Sequence, residues 1–292
     1  MEVGLALGWL ALFLALGLAA LPVSTWLFPE RARAGLSIPV ALAVLAVVGH
    51  LVGQVAFGWP AALAGLAVLA AGSYVAAGRT DVDWRAYRDV AGVFALAFCL
   101  VVGIRAFDPA AAPLPVAIGE KFLDYGLLAT LDRTPELPPE DMWFAGRPVR
   151  YYYGGHMVTS LLATLSGTAT RYAYNLALAG FYATLVSGAY GLAGALVASR
   201  EGSPRLAGGL AAFFVGVAAN LEPAAKLLVW LAPQPLAGWL VAATGLPSGA
   251  VEWTPASFHY FDASRVIPTN ASAADPVMAA TEFPFFAWLN GD

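Results

Sequence analysis

Six long apolar stretches, 3–28, 36–57, 60–77, 90–107, 172–198 and 206–222, alternate with short polar segments along this chain. Each approaches the ~20 residues that a helix needs to cross a hydrocarbon core. The pattern predicts an all-α, polytopic helical membrane protein with about six to eight transmembrane helices. A long outer loop carrying short interfacial helices is expected between the fourth and fifth spans. Two further segments are ambiguous. Residues 156–168 are apolar but too short for the core, so they are expected to lie on the membrane surface or to re-enter it. Residues 223–243 are interrupted by Lys226 and the Pro-Gln-Pro at 233–235, which points to an interfacial or hairpin element, with a full span as the rival.

The chain thus divides into an N-terminal four-helix membrane region (1–107), an outer loop (108–171), two transmembrane helices (172–222) and an outer, partly interfacial segment (223–292). The first apolar run lacks a basic leading segment and a small-residue cleavage site, which makes it a retained helix rather than a signal peptide. The sequence stops at Phe-Pro-Phe-Phe-Ala-Trp-Leu-Asn-Gly-Asp, and it is expected to be the N-terminal portion of a longer protein.

Composition agrees with a membrane location: 60% of residues are hydrophobic, 12% are charged, and mean hydropathy is +0.70. A single cysteine, Cys99, excludes an intrachain disulfide and a cysteine-based metal site. The arginines are scattered and form no basic run, so no nucleic-acid partner is expected. Their positions are informative about orientation. Arg31 and Arg33, then Arg79, Arg85 and Arg88, then Arg200 and Arg205 occupy alternate connections. The positive-inside rule puts these connections in the cytoplasm and residues 108–171 on the extracytoplasmic side of a plasma membrane.

Candidate chemistry concentrates in that outer loop. Glu120 and Asp124, spaced i,i+4 on a short amphipathic helix, share one face. They could hold a divalent cation such as Mg or Mn through hard oxygen ligands, or one could act as general base toward a hydroxyl. Phe122, Leu123, Leu127 and Leu128 would press into the membrane interface. Asp132, Glu136, Glu140 and Asp141 lie among prolines and read as a solvated acidic loop. Residues 143–156 follow: Trp-Phe-Ala-Gly-Arg-Pro-Val-Arg-Tyr-Tyr-Tyr-Gly-Gly-His. Tyr151, Tyr152 and Tyr153 fit an aromatic belt or a sugar-stacking surface. Arg147, Arg150 and Arg171 run against the positive-inside trend and suit a phosphate headgroup, or else they pair with Glu140 or Asp141. His156, after two glycines, is a candidate base or metal ligand. His50 and Gln54, one turn apart, are expected to bond across helices, and Asn175 and Asn220 to cap or bridge helix ends.

The motifs Arg105-Ala-Phe-Asp-Pro, Gly119-Glu-Lys-Phe-Leu-Asp-Tyr, the 143–156 stretch, Arg265-Val-Ile-Pro and the final Glu282-Phe-Pro-Phe-Phe segment resemble the archaeal and Chloroflexus-type YYY membrane protein family, a domain of unknown function. The likeness covers roughly residues 90–292 and implies that further helices and a Leu-His-x-His motif follow Asp292. The same stretch is similar, more distantly, to the GT-C superfamily of membrane glycosyltransferases. That similarity implies an acidic motif at Glu120, a turn at Gly146-Arg-Pro, a surface helix over 151–168 and Arg171 entering the next span. Four helices before the loop, instead of the usual one, depart from the GT-C pattern. The resemblance implies membrane lipid as partner and a polyprenyl-phosphate-linked sugar as donor. Glu120, Asp124 and His156 would be catalytic, while Arg147, Arg150, Arg171 and the three tyrosines would hold the lipid phosphate. The rival class is a non-enzymatic lipid or solute transporter, or an envelope-assembly scaffold. Transport is disfavoured because the spans carry few ionisable residues.

Overall fold

The computed structural model describes residues 3–28, 33–105, 121–198, 200 and 202–218. Residues 1–216 form one compact unit. A second unit covers 217–292, of which only Val217 and Ala218 are described. Glu120, Asn220 and the 223–243 segment therefore lie outside the described residues.

Eight helices make up the described fold: α1 (Val3–Leu27), α2 (Ser37–Gly53), α3 (Trp59–Ala77), α4 (Trp84–Arg105), α5 (Lys121–Leu131), α6 (Gly154–Ser166), α7 (Thr170–Ala198) and α8 (Pro204–Gly216). Among the described residues there is no strand, only an isolated bridge between Glu140 and Pro148. Helices stand at all six of the places where spans were expected. Four of them, α1, α3, α4 and α7, are long and apolar enough to cross a membrane. The 17-residue α2 extends about 25 Å at 1.5 Å per residue, somewhat short of the core thickness. α8 comprises 13 residues before the described part ends.

Leu7, Leu18, Val68, Leu96 and Leu185 are exposed on the outside of the spans, as lipid-facing side chains should be. The inside is built from close-packed aromatics and small residues. Phe13 of α1 packs on Phe94 of α4 at 5.6 Å and edge-on to Phe181 of α7 at 6.3 Å. Gly180 leaves the space that the Phe13 ring fills. Gly35, just before α2, lies so close to α7 that a Cβ on it would sit 2.7 Å from the Gly191 Cα.

Connectivity sets two distinct ends. The α1–α2, α3–α4 and α7–α8 connections share one end, which carries Arg33, Arg79, Arg85, Arg88, Arg200 and Arg205. The opposite end carries the α2–α3 turn, α5, the 132–153 segment and the starts of α6 and α7.

α6 corrects the surface-lying half of its expectation and leaves the re-entrant alternative standing. Residues Met157 to Ala163 are consecutively buried, against α2, α3, α5 and α7, whereas a helix lying on the surface would bury only one stripe. Its 13 residues reach about 20 Å, too short to span. Leu161 packs where a Cβ on Gly49 would be, so α2 and α6 approach closely. Gly167, in the left-handed conformation at φ 63°, ends α6 and allows the immediate turn into α7. α5 is corrected similarly. Leu127, Leu128 and Leu131 are buried in the protein rather than pressed into lipid, with Leu128 against Tyr174.

Candidate functional site

Three helices contribute one side chain each to a polar cluster at the end opposite the arginine-rich connections. Asp124 stands in the first turn of α5, His156 in the first turn of α6 and Tyr174 in the second turn of α7. The Asp124 Oδ1 lies 3.1 Å from the His156 Nε2, and the Tyr174 hydroxyl donates to Oδ2 at 3.0 Å. Both carboxylate oxygens are thus engaged. The His156 and Asp124 side chains are only 15% and 14% exposed, so water competes weakly for these bonds. A carboxylate oxygen at this distance selects the tautomer with its proton on Nε2, which in a neutral ring leaves a lone pair on Nδ1. The arrangement can therefore orient an imidazole as a base.

Local sequence explains why the three meet. Leu127 and Leu128 bury one side of α5 and turn Asp124 toward α6 and α7. Gly154 and Gly155 open α6 without side chains, leaving open space around them, and Tyr153 before them makes no side-chain cap bond. The first-turn amides of α6 are therefore uncapped by side chains, a disposition that favours an anion. At α7, the Thr170 hydroxyl donates to Asp132 Oδ2 at 3.1 Å and ties the helix start to the end of α5. The Trp9 indole donates to Thr168 at 2.9 Å and fixes the α6–α7 turn against α1.

The segment 132–150 is docked through its backbone, while Asp132, Glu136 and Glu140 are exposed, as a solvated acidic loop leaves them. Phe57 N–H donates to Pro135 O and Leu137 N–H to Gly53 O, both at 2.7 Å. Met142 packs against Gly126 of α5. Asp141 accepts the amides of Trp143 and Phe144 at 2.8 and 3.2 Å, and Glu140 accepts that of Gly146, whose φ is +74°. These acids shape a turn instead of pairing with arginine. Arg147 and Arg150 are exposed and make no ion pair with any described residue.

The remaining expected residues divide. Tyr151 and Tyr152 stack at 4.0 Å between centroids, and the Tyr151 hydroxyl donates to that of Tyr152 at 2.6 Å. Tyr153 is half-buried, and burial raises its phenol above the ordinary range. Arg171 lies over the Tyr172 ring at 4.8 Å and does not reach Asp124. His50 bonds Gln54 within its own helix end at 3.3 Å, not across helices as expected, because both residues face outward. Asn175 is buried in α7. Tyr174 was missed. Its signal was a polar Tyr-Asn pair one turn into an apolar span, but the sequence does not say what that pair faces.

The Glu120–Asp124 cation pair expected from the sequence includes a residue outside those described. Asp124 and His156 are bonded to each other, Tyr174 takes the second carboxylate oxygen, and no group of three or more His, Cys, Asp or Glu occurs among the described residues.

Apolar helices of spanning length, with a polar cluster gathered at one end, define an integral, multi-pass membrane protein. More particularly, residues 44–292 match the family described as Uncharacterized membrane protein (DUF2298), and the chain belongs to that family. No curated protein and no solved structure matches the chain.

Proposed function

We propose that this protein is a GT-C-like membrane glycosyltransferase that moves a sugar from a polyprenyl-phosphate-linked donor to a hydroxyl acceptor at the extracytoplasmic face. The observation that carries the reading is the Asp124–His156–Tyr174 cluster, which holds an imidazole by its Nε2 beside the uncapped start of α6. His156 Nδ1 accepts the acceptor's hydroxyl proton. The acceptor oxygen forms a bond to the sugar's anomeric carbon while the bond from that carbon to the phosphate oxygen breaks. The bonding pair leaves with the lipid phosphate. Asp124 keeps the imidazole in the useful tautomer and balances its charge once it is protonated.

Charge develops on the departing phosphate, and cations placed there in advance lower the barrier. Arg147 and Arg150 suit this role because the neighbouring acids are committed to backbone amides. The stacked Tyr151–Tyr152 pair offers an aromatic face to a sugar or polyprenyl group. In this reading Glu120 is a second acid near the start of α5, and Arg171 assists from the start of α7. No step is routed through a cation. The lipid phosphate as leaving group removes any need for nucleotide energy.

The experiment is transfer from a radiolabelled polyprenyl-phosphate sugar by the intact protein in liposomes. His156→Ala and Asp124→Asn should lose transfer by roughly 10²–10⁴-fold with unchanged expression. Wild-type turnover in both variants would refute the assignment. An unchanged glycan inventory in a deletion strain would instead favour a scaffold.

A further inference from the structure

A second site is available at the arginine-rich end, remote from the Asp124 cluster. There the leading segment of α2, the first turns of α4, the last turns of α7 and the start of α8 enclose a cleft of about 450 Å³. That is large enough for a small ligand or a headgroup. Its polar walls are Asp83, Arg85, Asp89, Tyr190, Ser203 and Arg205, over a floor of glycine and alanine.

The charges there are unequally committed. Asp83 accepts the amides of Arg85 and Ala86 at 3.0 Å each, which holds it to the start of α4. Asp89 is paired with Arg205 at 2.9 Å. Arg85 is exposed and has no ion pair with a described residue. Arg205 is 73% exposed, so its pairing with Asp89 is a solvated one that a stronger anion can displace at little cost. The two carboxylates and two guanidiniums of the lining balance in formal charge, and the group without an ion pair to a described residue is the Arg85 guanidinium, which shares the cleft with the hydroxyls of Tyr190 and Ser203.

Position narrows the anion. The cleft opens between the ends of two spans, α4 and α7, and Trp26 and Trp84 are exposed at the same end. Tryptophan marks the headgroup level, and an arginine without an ion pair at that level can meet the phosphate of a lipid headgroup.

We propose that this cleft binds a phosphate group, delivered by an anionic phospholipid headgroup and gripped by Arg85 and Arg205 with Ser203 and Tyr190 as hydroxyl partners. The guanidiniums supply forked donors to phosphate oxygens. The site is independent of the proposed transferase reaction.

The test uses the intact protein, delipidated in a neutral detergent, and native mass spectrometry. It is titrated separately with phosphatidylglycerol, phosphatidylcholine and inorganic phosphate. Phosphatidylglycerol should bind at least about tenfold more tightly than phosphatidylcholine. Arg85→Ala and Arg205→Gln should each weaken it by about tenfold, whereas Arg88→Ala, exposed on α4 but outside the cleft, should not. Displacement of the lipid by millimolar phosphate would support the phosphate grip and identify free phosphate as a competent source. Resistance to phosphate, with the arginine dependence intact, would support the lipid. Equal binding by Arg85→Ala, Arg205→Gln and Arg88→Ala, or no preference over phosphatidylcholine, would overturn the proposal.

Discussion

Replacing Asp124 separates the two things its carboxylate does. Its oxygens receive His156 Nε2–H at 3.1 Å and the Tyr174 hydroxyl at 3.0 Å in a setting where the paired side chains are 15% and 14% exposed. A hydrogen bond to a charged group contributes about 1.5–3 kcal/mol, and a buried donor left without a partner costs about 1–3 kcal/mol. Asp124→Ala removes the shared acceptor of both bonds, so a loss of about 2–4 kcal/mol of stability is expected. Asp124→Asn keeps the shape and can still accept one bond. Its amide faces His156 as a donor, however, and moves the imidazole proton to Nδ1, which removes the lone pair that would act as base. Asparagine should therefore cost about 1 kcal/mol or less in stability while abolishing transfer. The assay is a double-mutant cycle in Asp124→Ala, His156→Ala and the pair, followed by thermal unfolding in detergent and by transfer in liposomes. A coupling of about 1–2 kcal/mol is expected, within the range for residues that share a hydrogen bond. Additivity within about 0.5 kcal/mol would refute the reasoning for stability. Wild-type transfer by Asp124→Asn would refute it for chemistry.

Other consequences follow from the same geometry. Arg147→Ala and Arg150→Ala should raise KM for the lipid-linked donor more than they lower kcat; melting temperature should be unchanged, because neither guanidinium is tied to a described residue. Gly180→Ala places a methyl in the Phe13 ring and should destabilise by about 1–3 kcal/mol by thermal unfolding, with Phe13→Leu partly restoring it. Leu128→Ala empties a site that is 1% exposed under α5 and should cost about 2–5 kcal/mol, with transfer falling as Asp124 loses its support. Trp9→Phe removes the bond to Thr168 and should cost about 1 kcal/mol without changing the pH profile of transfer.

Much of this molecule is legible in one dimension. A run of apolar residues near the length of a bilayer has few alternatives to a helix, because its backbone must satisfy its own hydrogen bonds. The helical class and the places of the helices follow from that constraint, and the alternation of arginine-bearing connections from where the arginines stand. Asp124 and His156 could be singled out as candidates too, Asp124 by its i,i+4 spacing from Glu120 and His156 by its place after two glycines at the end of a tyrosine-rich stretch.

Only the tertiary structure decided what those residues do to one another. Thirty-two positions separate Asp124 from His156, and the turn residues between them carry no signal of which helix faces which. α6 has the composition of a surface helix, yet it is buried because Gly49 of α2 admits Leu161. Glu140 and Asp141 have the charge to neutralise Arg147, yet the turn at Gly146 draws them to backbone amides instead. Tyr174 entered the cluster for the same reason: three helices pack side by side, and their contacts are fixed by shape across the bundle rather than by spacing along the chain.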